Sequence, residues 1–323
     1  MPWRESAADL ARARAEQPLV FDTAEGRLTG IYCPADPAAA AAGRCILMLT
    51  RPRSHRNRMW VECARRMSAL GFSSFRFDYH GDGDSEGESG FHNPNTPYRE
   101  DAVAALRAVR AQFGDARFLV LGACFDARTA LSTFMDEGEH IDGLLFYAAP
   151  VMELDTLVKA HADKKDWKHL LRALGNRDNW QVLADPERWK YMATVVGRVA
   201  RRSVPTSGEA SNDTPLADSF VHHFRALVRS QARALFIYGD ADVEYLSFQV
   251  ALDTVFARLS PKERARFEVE LWPGDVHGFL NIPMQRRSLE RAIEWLSAFH
   301  PAAAPSGNGL TNAQHGEENR SGS

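Results

Sequence analysis

A chain of 323 residues with 45% hydrophobic and 25% charged residues has an ordinary globular composition, and we read it as one large α/β domain with an insertion rather than two smaller domains. Its net charge of -3 provides no bulk basicity for nucleic acid or for an anionic membrane surface. The N-terminal MPWRESAADLARARAEQ lacks the apolar stretch of a signal peptide, no window holds about 18 uninterrupted apolar residues, and Cys33, Cys45, Cys63 and Cys124 show no C-x-x-C spacing, so the expectation is a cytoplasmic protein without membrane span, zinc site or disulfide framework.

In chain order, residues 1–17 read as a polar N-terminal helix. PLVFDTAEGRLTGIYCP holds two alternating runs around Glu25-Gly26, the pattern of a hairpin, and the Ala/Pro stretch 34–42 is a loop. CILMLT (45–50) is a continuous apolar run, as expected of a central strand covered on both faces, and ends in the charged loop RPRSHRNR. Met59, Trp60, Cys63, Met67 and Leu70 mark one face of a helix closed by Gly71. SSFRFD (73–78) is a strand, YHGDGDSEGESG a constrained loop, Asp101 to Phe113 a helix and ARFLVLG a further buried strand. Strand, helix, strand, helix implies a parallel sheet with right-handed crossovers. After an abrupt corner at Gly122-Ala123-Cys124-Phe125-Asp126, a helix runs to Met135 and GLLFYAAP (143–150) is another strand.

The rhythm then stops. Residues 151–230 hold helical stretches rich in Lys, Arg, Trp and His, and read as a helical cap between core segments 18–150 and 231–300. ARALFIYGD (232–240), a helix at 245–259, the strand FEVELWPG (267–274) and an amphipathic helix at 285–299 complete the core, and the Gly/Asn/Ser-rich tail 301–323 is expected to be disordered.

Open parallel sheets place ligands outside the carboxyl ends of their strands, which nominates the loops at 51–58, 79–92, 123–126, 240–244 and 274–279. Three of them hold, in order, Cys124, Asp240 or Asp242, and His277: nucleophile, acid, base. The corner keeps the first glycine of a G-x-S-x-G elbow, puts sulfur in place of the serine oxygen, and has Asp126 where the last glycine stands.

RFDYHGDGDSEG after a strand, LGACFDA at the corner, LFIYGDADVEY, PGDVHGFL and the helical insert before the acid strand together resemble the α/β-hydrolase superfamily over residues 18–300. Within it, SHRNRMW followed by FRFDYHGDGDSEG and a cysteine elbow is similar to hydrolases associated with bacterial exosortase systems. The resemblance implies an α/β-hydrolase fold, a mainly parallel doubly wound sheet with a helical cap. It implies Cys124 as nucleophile, His277 as base and Asp242 as the acid, with Asp240 as fallback. The oxyanion would meet the backbone N–H of Phe125 and one from the loop after residues 45–50; Pro52 has none, leaving Arg51 or Arg53, with Arg53 preferred.

The loop residues Arg51, Arg53, His55, Arg56 and Arg58 form a local basic cluster, readable either as a clamp for the phosphate of a CoA or carrier-bound thioester or as arginines paired with the acidic run at 82–88. Trp167 and Trp189, with Trp180, Phe220, His222 and His223, would line the cap. Asp78, His80, Asp82 and Asp84 lack ligand spacing and read as a loop bracing the site; no metal and no cofactor is called for. The leading expectation is hydrolysis of a small acyl ester or thioester through an acyl-cysteine. Acyl transfer or cyclisation with a non-water acceptor is the alternative, and noncatalytic ligand binding a further one, since Asp126 could disturb the elbow.

Overall fold

A computed structural model of the chain describes residues 15–88, 95–153 and 216–301. The apolar runs become β1 (Gln17–Thr23), β2 (Gly26–Cys33), β3 (Cys45–Leu49), β4 (Ser73–Phe77), β5 (Phe118–Ala123), β6 (Ile141–Tyr147), β7 (Arg233–Gly239) and β8 (Phe267–Trp272). They form one sheet in the order β1-β2-β4-β3-β5-β6-β7-β8. β1 and β2 pair antiparallel as the expected hairpin, β2 runs antiparallel to β4, and every pairing from β4 through β8 is parallel.

Among the described residues, the longer helices are α1 (Met59–Ala69), α2 (Arg99–Phe113), α3 (Asp126–Glu137), α4 (Asp218–Arg229), α5 (Val243–Ala251) and α6 (Ile282–Ser297), which pack on the sheet. Side chains alternate across a strand, so a run that is apolar throughout must be covered on both sides. Leu47, Val120, Leu144 and Phe236 join the core beneath α2, α3 and α4, whereas Ile46, Met48, Leu119, Leu121 and Ile237 pack on Trp60, Cys63 and Met67 of α1 and on Leu289, Trp295 and Leu296 of α6. α6 starts where Asn281 accepts the Met284 N–H at 2.8 Å, with a proline in its first turn.

Most of the expected cap and all of residues 1–14 and 302–323 lie outside the described residues. One part of the cap expectation is corrected. Residues 218–229, assigned from sequence to the insertion, form α4, whose Phe220, Phe224 and Leu227 recur at spacings of four and three and are buried in the sheet-facing core. The Phe224 ring centroid lies 4.5 Å from that of Phe256 and 5.3 Å from that of Phe267. α4 is therefore the crossover helix between β6 and β7. Phe224→Ala should lower the free energy of unfolding by about 3–5 kcal/mol in urea titration followed by circular dichroism; a helix belonging to a separate cap would leave the main transition unmoved.

Candidate active site

The turn from β5 into α3 carries Cys124 with φ of 53°, a left-handed backbone rare outside glycine and typical of strained functional corners. The corner is locked by the Cys124 N–H donating to the Tyr147 carbonyl at 2.7 Å and the Ala127 N–H to the Cys124 carbonyl at 3.0 Å. Gly122 is required two residues earlier, at the end of β5: a Cβ there would come 2.7 Å from the Asp126 carbonyl oxygen and 2.9 Å from the Ala127 Cα. Asp126, in place of the final elbow glycine, is buried and acts electrostatically on Tyr79 and Arg51.

Facing the sulfur is His277, with Nε2 3.6 Å from Cys124 Sγ. Its other nitrogen, Nδ1, lies 3.0 Å from Oε1 of Glu244, a carboxylate in the first turn of α5 whose side chain is 1% exposed. Neither expected acid holds the ring. Asp242 accepts the backbone N–H groups of Gly239 at 2.6 Å, Val276 at 2.9 Å and His277 at 3.1 Å. Asp240 accepts the Gly274 N–H at 2.8 Å. The two aspartates thus staple the turn after β7 to the loop after β8, fixing the backbone of His277 while Glu244 meets its ring. Gly239 permits the approach, since a Cβ there would lie 2.2 Å from the Gly274 carbonyl oxygen. Glu244 stands two residues after Asp242 in Asp240-Ala241-Asp242-Val243-Glu244, so the sequence carries its signal beside the two aspartates.

Burial pushes the Cys124 thiol above its ordinary pKa, opposed by the charge and hydrogen bond of His277 and reinforced by Glu244 and Asp126. For His277, burial pulls the imidazolium down, but Cys124 and Glu244 on its two nitrogens reverse the sign and hold it above the usual imidazole range. Burial and the neighbouring Asp275 raise the Asp242 carboxyl to about 7 against its N–H donors. Cys124, Glu244 and His277 also form a three-residue cluster of potential metal ligands. The sulfur and the carboxylate approach opposite nitrogens of one ring, an arrangement suited to passing a proton through the imidazole rather than to sharing an ion.

A cavity of about 240 Å³ opens on the sulfur and is lined by Thr50, Arg51, His55, Phe125, Asp126 and Phe279, among others. His55 packs edge-on against Phe279, with ring centroids 5.2 Å apart. The expected second oxyanion donor, Arg53, is corrected: its backbone N–H points to Asp78 Oδ1 at 3.4 Å, and its guanidinium pairs with Asp78 and with Asp84, the latter at 2.6 Å. Arg51 pairs with Asp82 at 2.6 Å. The reading of these two arginines as an anion clamp is corrected as well, because the loop after β4 supplies their counter-charges. Arg56 opens the short turn Arg56–Arg58, and its side chain, like Trp167 and Trp189, lies outside the described residues.

A family model described as serine aminopeptidase, S33, matches residues 43–210, more than half of the chain. The chain belongs to this family of the α/β-hydrolase superfamily. An esterase from Pyrococcus furiosus is similar in structure at a TM-score of 0.58 and 14% identity, over 92% of this chain and 95% of that one. A proline iminopeptidase from Mycobacterium smegmatis gives a TM-score of 0.54 at 14% identity, over 89% and 100%. A thermostable carboxyl esterase from Bacillus coagulans gives 0.54 at 13% identity, over 88% and 99%. At such identities the likeness establishes the α/β-hydrolase fold. No curated protein sequence matches the chain. Among the described residues no helix is long and apolar enough to cross a membrane. Against the serine named in the family's description, this α/β-hydrolase presents a cysteine at its elbow.

Because His277 draws the Cys124 pKa down and burial draws it up, His277→Ala should move the pH midpoint for iodoacetamide alkylation of Cys124 further upward. At fixed neutral pH, alkylation should slow about tenfold for each unit of that rise. Intact-mass time courses check this, and faster alkylation of the variant would contradict it.

Proposed function

We propose that this α/β-hydrolase cleaves a small acyl ester or thioester through an acyl-cysteine, with Cys124 as nucleophile, His277 as base and Glu244 as the carboxylate that orients it. The observation that carries the reading is the line from Cys124 Sγ to His277 Nε2 at 3.6 Å and from Nδ1 to Glu244 at 3.0 Å, beginning at a left-handed elbow.

The steps follow from the groups present. Cys124 and Glu244 favour the imidazolium, so the competent form is the one in which His277 is neutral; its Nε2 takes the thiol proton as Sγ attacks the acyl carbon, and the buried Glu244 carboxylate stabilises the imidazolium that forms. Negative charge on the former carbonyl oxygen meets the Phe125 N–H at the start of α3. The second donor is the N–H of Arg51, since Pro52 has none, Arg53 turns its own to Asp78, and Arg51 lies in the cavity wall. Collapse breaks the bond to the leaving alkoxide or thiolate, which takes the proton from Nε2. A water then gives a proton to Nε2, attacks the acyl-cysteine, and releases the acid and the thiol. Because the thiol is raised by burial, a base positioned to remove its proton matters more than in a site holding a ready thiolate.

Incubation with p-nitrophenyl acetate and an acetyl thioester should produce an acyl adduct by intact mass that Cys124→Ala lacks. Wild-type protein that neither acquires an adduct nor turns over either compound would sink the proposal. An adduct that decays only when an alcohol, amine or thiol is supplied would move the reaction class to acyl transfer. Glu244→Gln should reduce kcat by about 10²-fold or more with little change in KM. Asp242→Ala should instead lower the thermal midpoint by exposing three N–H donors without an acceptor.

A further inference from the structure

Arg65 and Arg76 are buried arginines, and each pairs with Glu16. Arg128 is more deeply buried, at 1% exposure, and among the described residues it forms no ion pair. Its guanidinium reaches the Pro150 carbonyl at 3.5 Å and the hydroxyl of Ser219, while Glu153 acts on it through charge alone. Burial pushes Arg128 down to about 10, which leaves it charged at neutral pH. A guanidinium held away from water without a counter-ion is costly to fold around, so the surroundings of Arg128 call for an anion.

The surroundings include room for one. Arg128 lines a cavity of about 500 Å³ between α2, α3 and α4, together with Tyr98, Arg99, Ser132, Ser219 and His223. Ser219 accepts from Arg128, which leaves its own O–H to donate. His223 Nδ1 is buried without a hydrogen-bond partner. Burial and the charge of Arg128 push that ring down to about 4, so it is neutral and able to donate from Nδ1. At this cavity Arg99 pairs with Asp136, and His80 Nδ1 lies 2.8 Å from Asp101. Glu25 and Glu100 also line the cavity, and their charges would repel a dianionic phosphate more than a singly charged planar carboxylate held against Arg128. The cavity shares no lining residue with the one at Cys124, and the two meet where Arg51, of the Cys124 cavity, lies 5.5 Å from the centre of the Tyr98 ring.

We propose that this second cavity binds the carboxylate of a small organic acid, with Arg128 as its counter-charge and the Ser219 hydroxyl and His223 ring as further donors.

Titration of the full-length protein with acetate, benzoate and inorganic phosphate at constant ionic strength, by calorimetry and thermal shift, tests this. Saturable binding of acetate or benzoate is expected, with affinity at least tenfold weaker in Arg128→Met and unchanged in Cys124→Ala. Absence of saturable carboxylate binding, equal binding by Arg128→Met, loss of binding in Cys124→Ala, or a response to phosphate alone would each overturn it. Should Arg128→Met not fold, Ser219→Trp at the partly exposed start of α4 fills the cavity; undiminished binding by that variant overturns the proposal equally.

Discussion

Neighbouring strands of a sheet lie about 4.8 Å apart, so the carboxyl end of β5, which carries Cys124, is about 14 Å in the plane of the sheet from that of β8, which leads to His277. A sulfur and a nitrogen 3.6 Å apart can meet across that span only if the loop after β8 folds back over the ends of β6 and β7 and is held there. The side chains that hold it come from the turn after β7: Asp240 receives Gly274, Asp242 receives Val276 and His277, and Gly239 lets the Gly274 carbonyl approach. The backbone of the base is therefore fixed before its ring is considered. Glu244, one helical turn further on, then sets the ring.

The opposite wall is fixed by charge. Arg51 and Arg53 project from the loop after β3 and find Asp82, Asp78 and Asp84 in the loop after β4. Asp78 is almost wholly buried, so its pairing with Arg53 is more than a surface contact, whereas Asp84 is largely exposed and contributes little. These pairs join the two loops into one rigid wall. They also balance Arg51, the arginine that lines the cavity at Cys124 among the described residues.

The strands were legible because buried parallel strands are apolar throughout, and the order of nucleophile, acid and base loops was legible because chain order and sheet order coincide from β5 to β8. Gly122 announced the corner because only a residue without Cβ fits there. What sequence spacing did not reveal was which carboxylate turns toward the ring. Asp240 and Asp242 are short and sit in the turn, where neighbouring N–H groups capture them; Glu244 is longer and starts a helix whose first turn faces the imidazole. The role of Arg53 is hidden for a similar reason, since its counter-charges stand 25 and 31 residues away. Helix α4 was grouped with the insertion because its Phe220, Phe224 and Leu227 show the period of a helix without showing which layer covers it.

Asp126 is the departure from the elbow pattern with the most chemical consequence. A second carboxylate near the nucleophile would separate the charges of a cysteine that relied on a standing thiolate, and its effect on Cys124 is indeed to raise the thiol. Burial acts in the same direction and more strongly, so the sulfur rests as a thiol, and in the proposed reaction a neutral His277 takes its proton. A neutral thiol is also the form that resists oxidation. Such an elbow can employ cysteine only where a complete base stands ready. That requirement makes the buried Glu244, rather than the position of the sulfur alone, the feature on which a catalytic role for Cys124 turns.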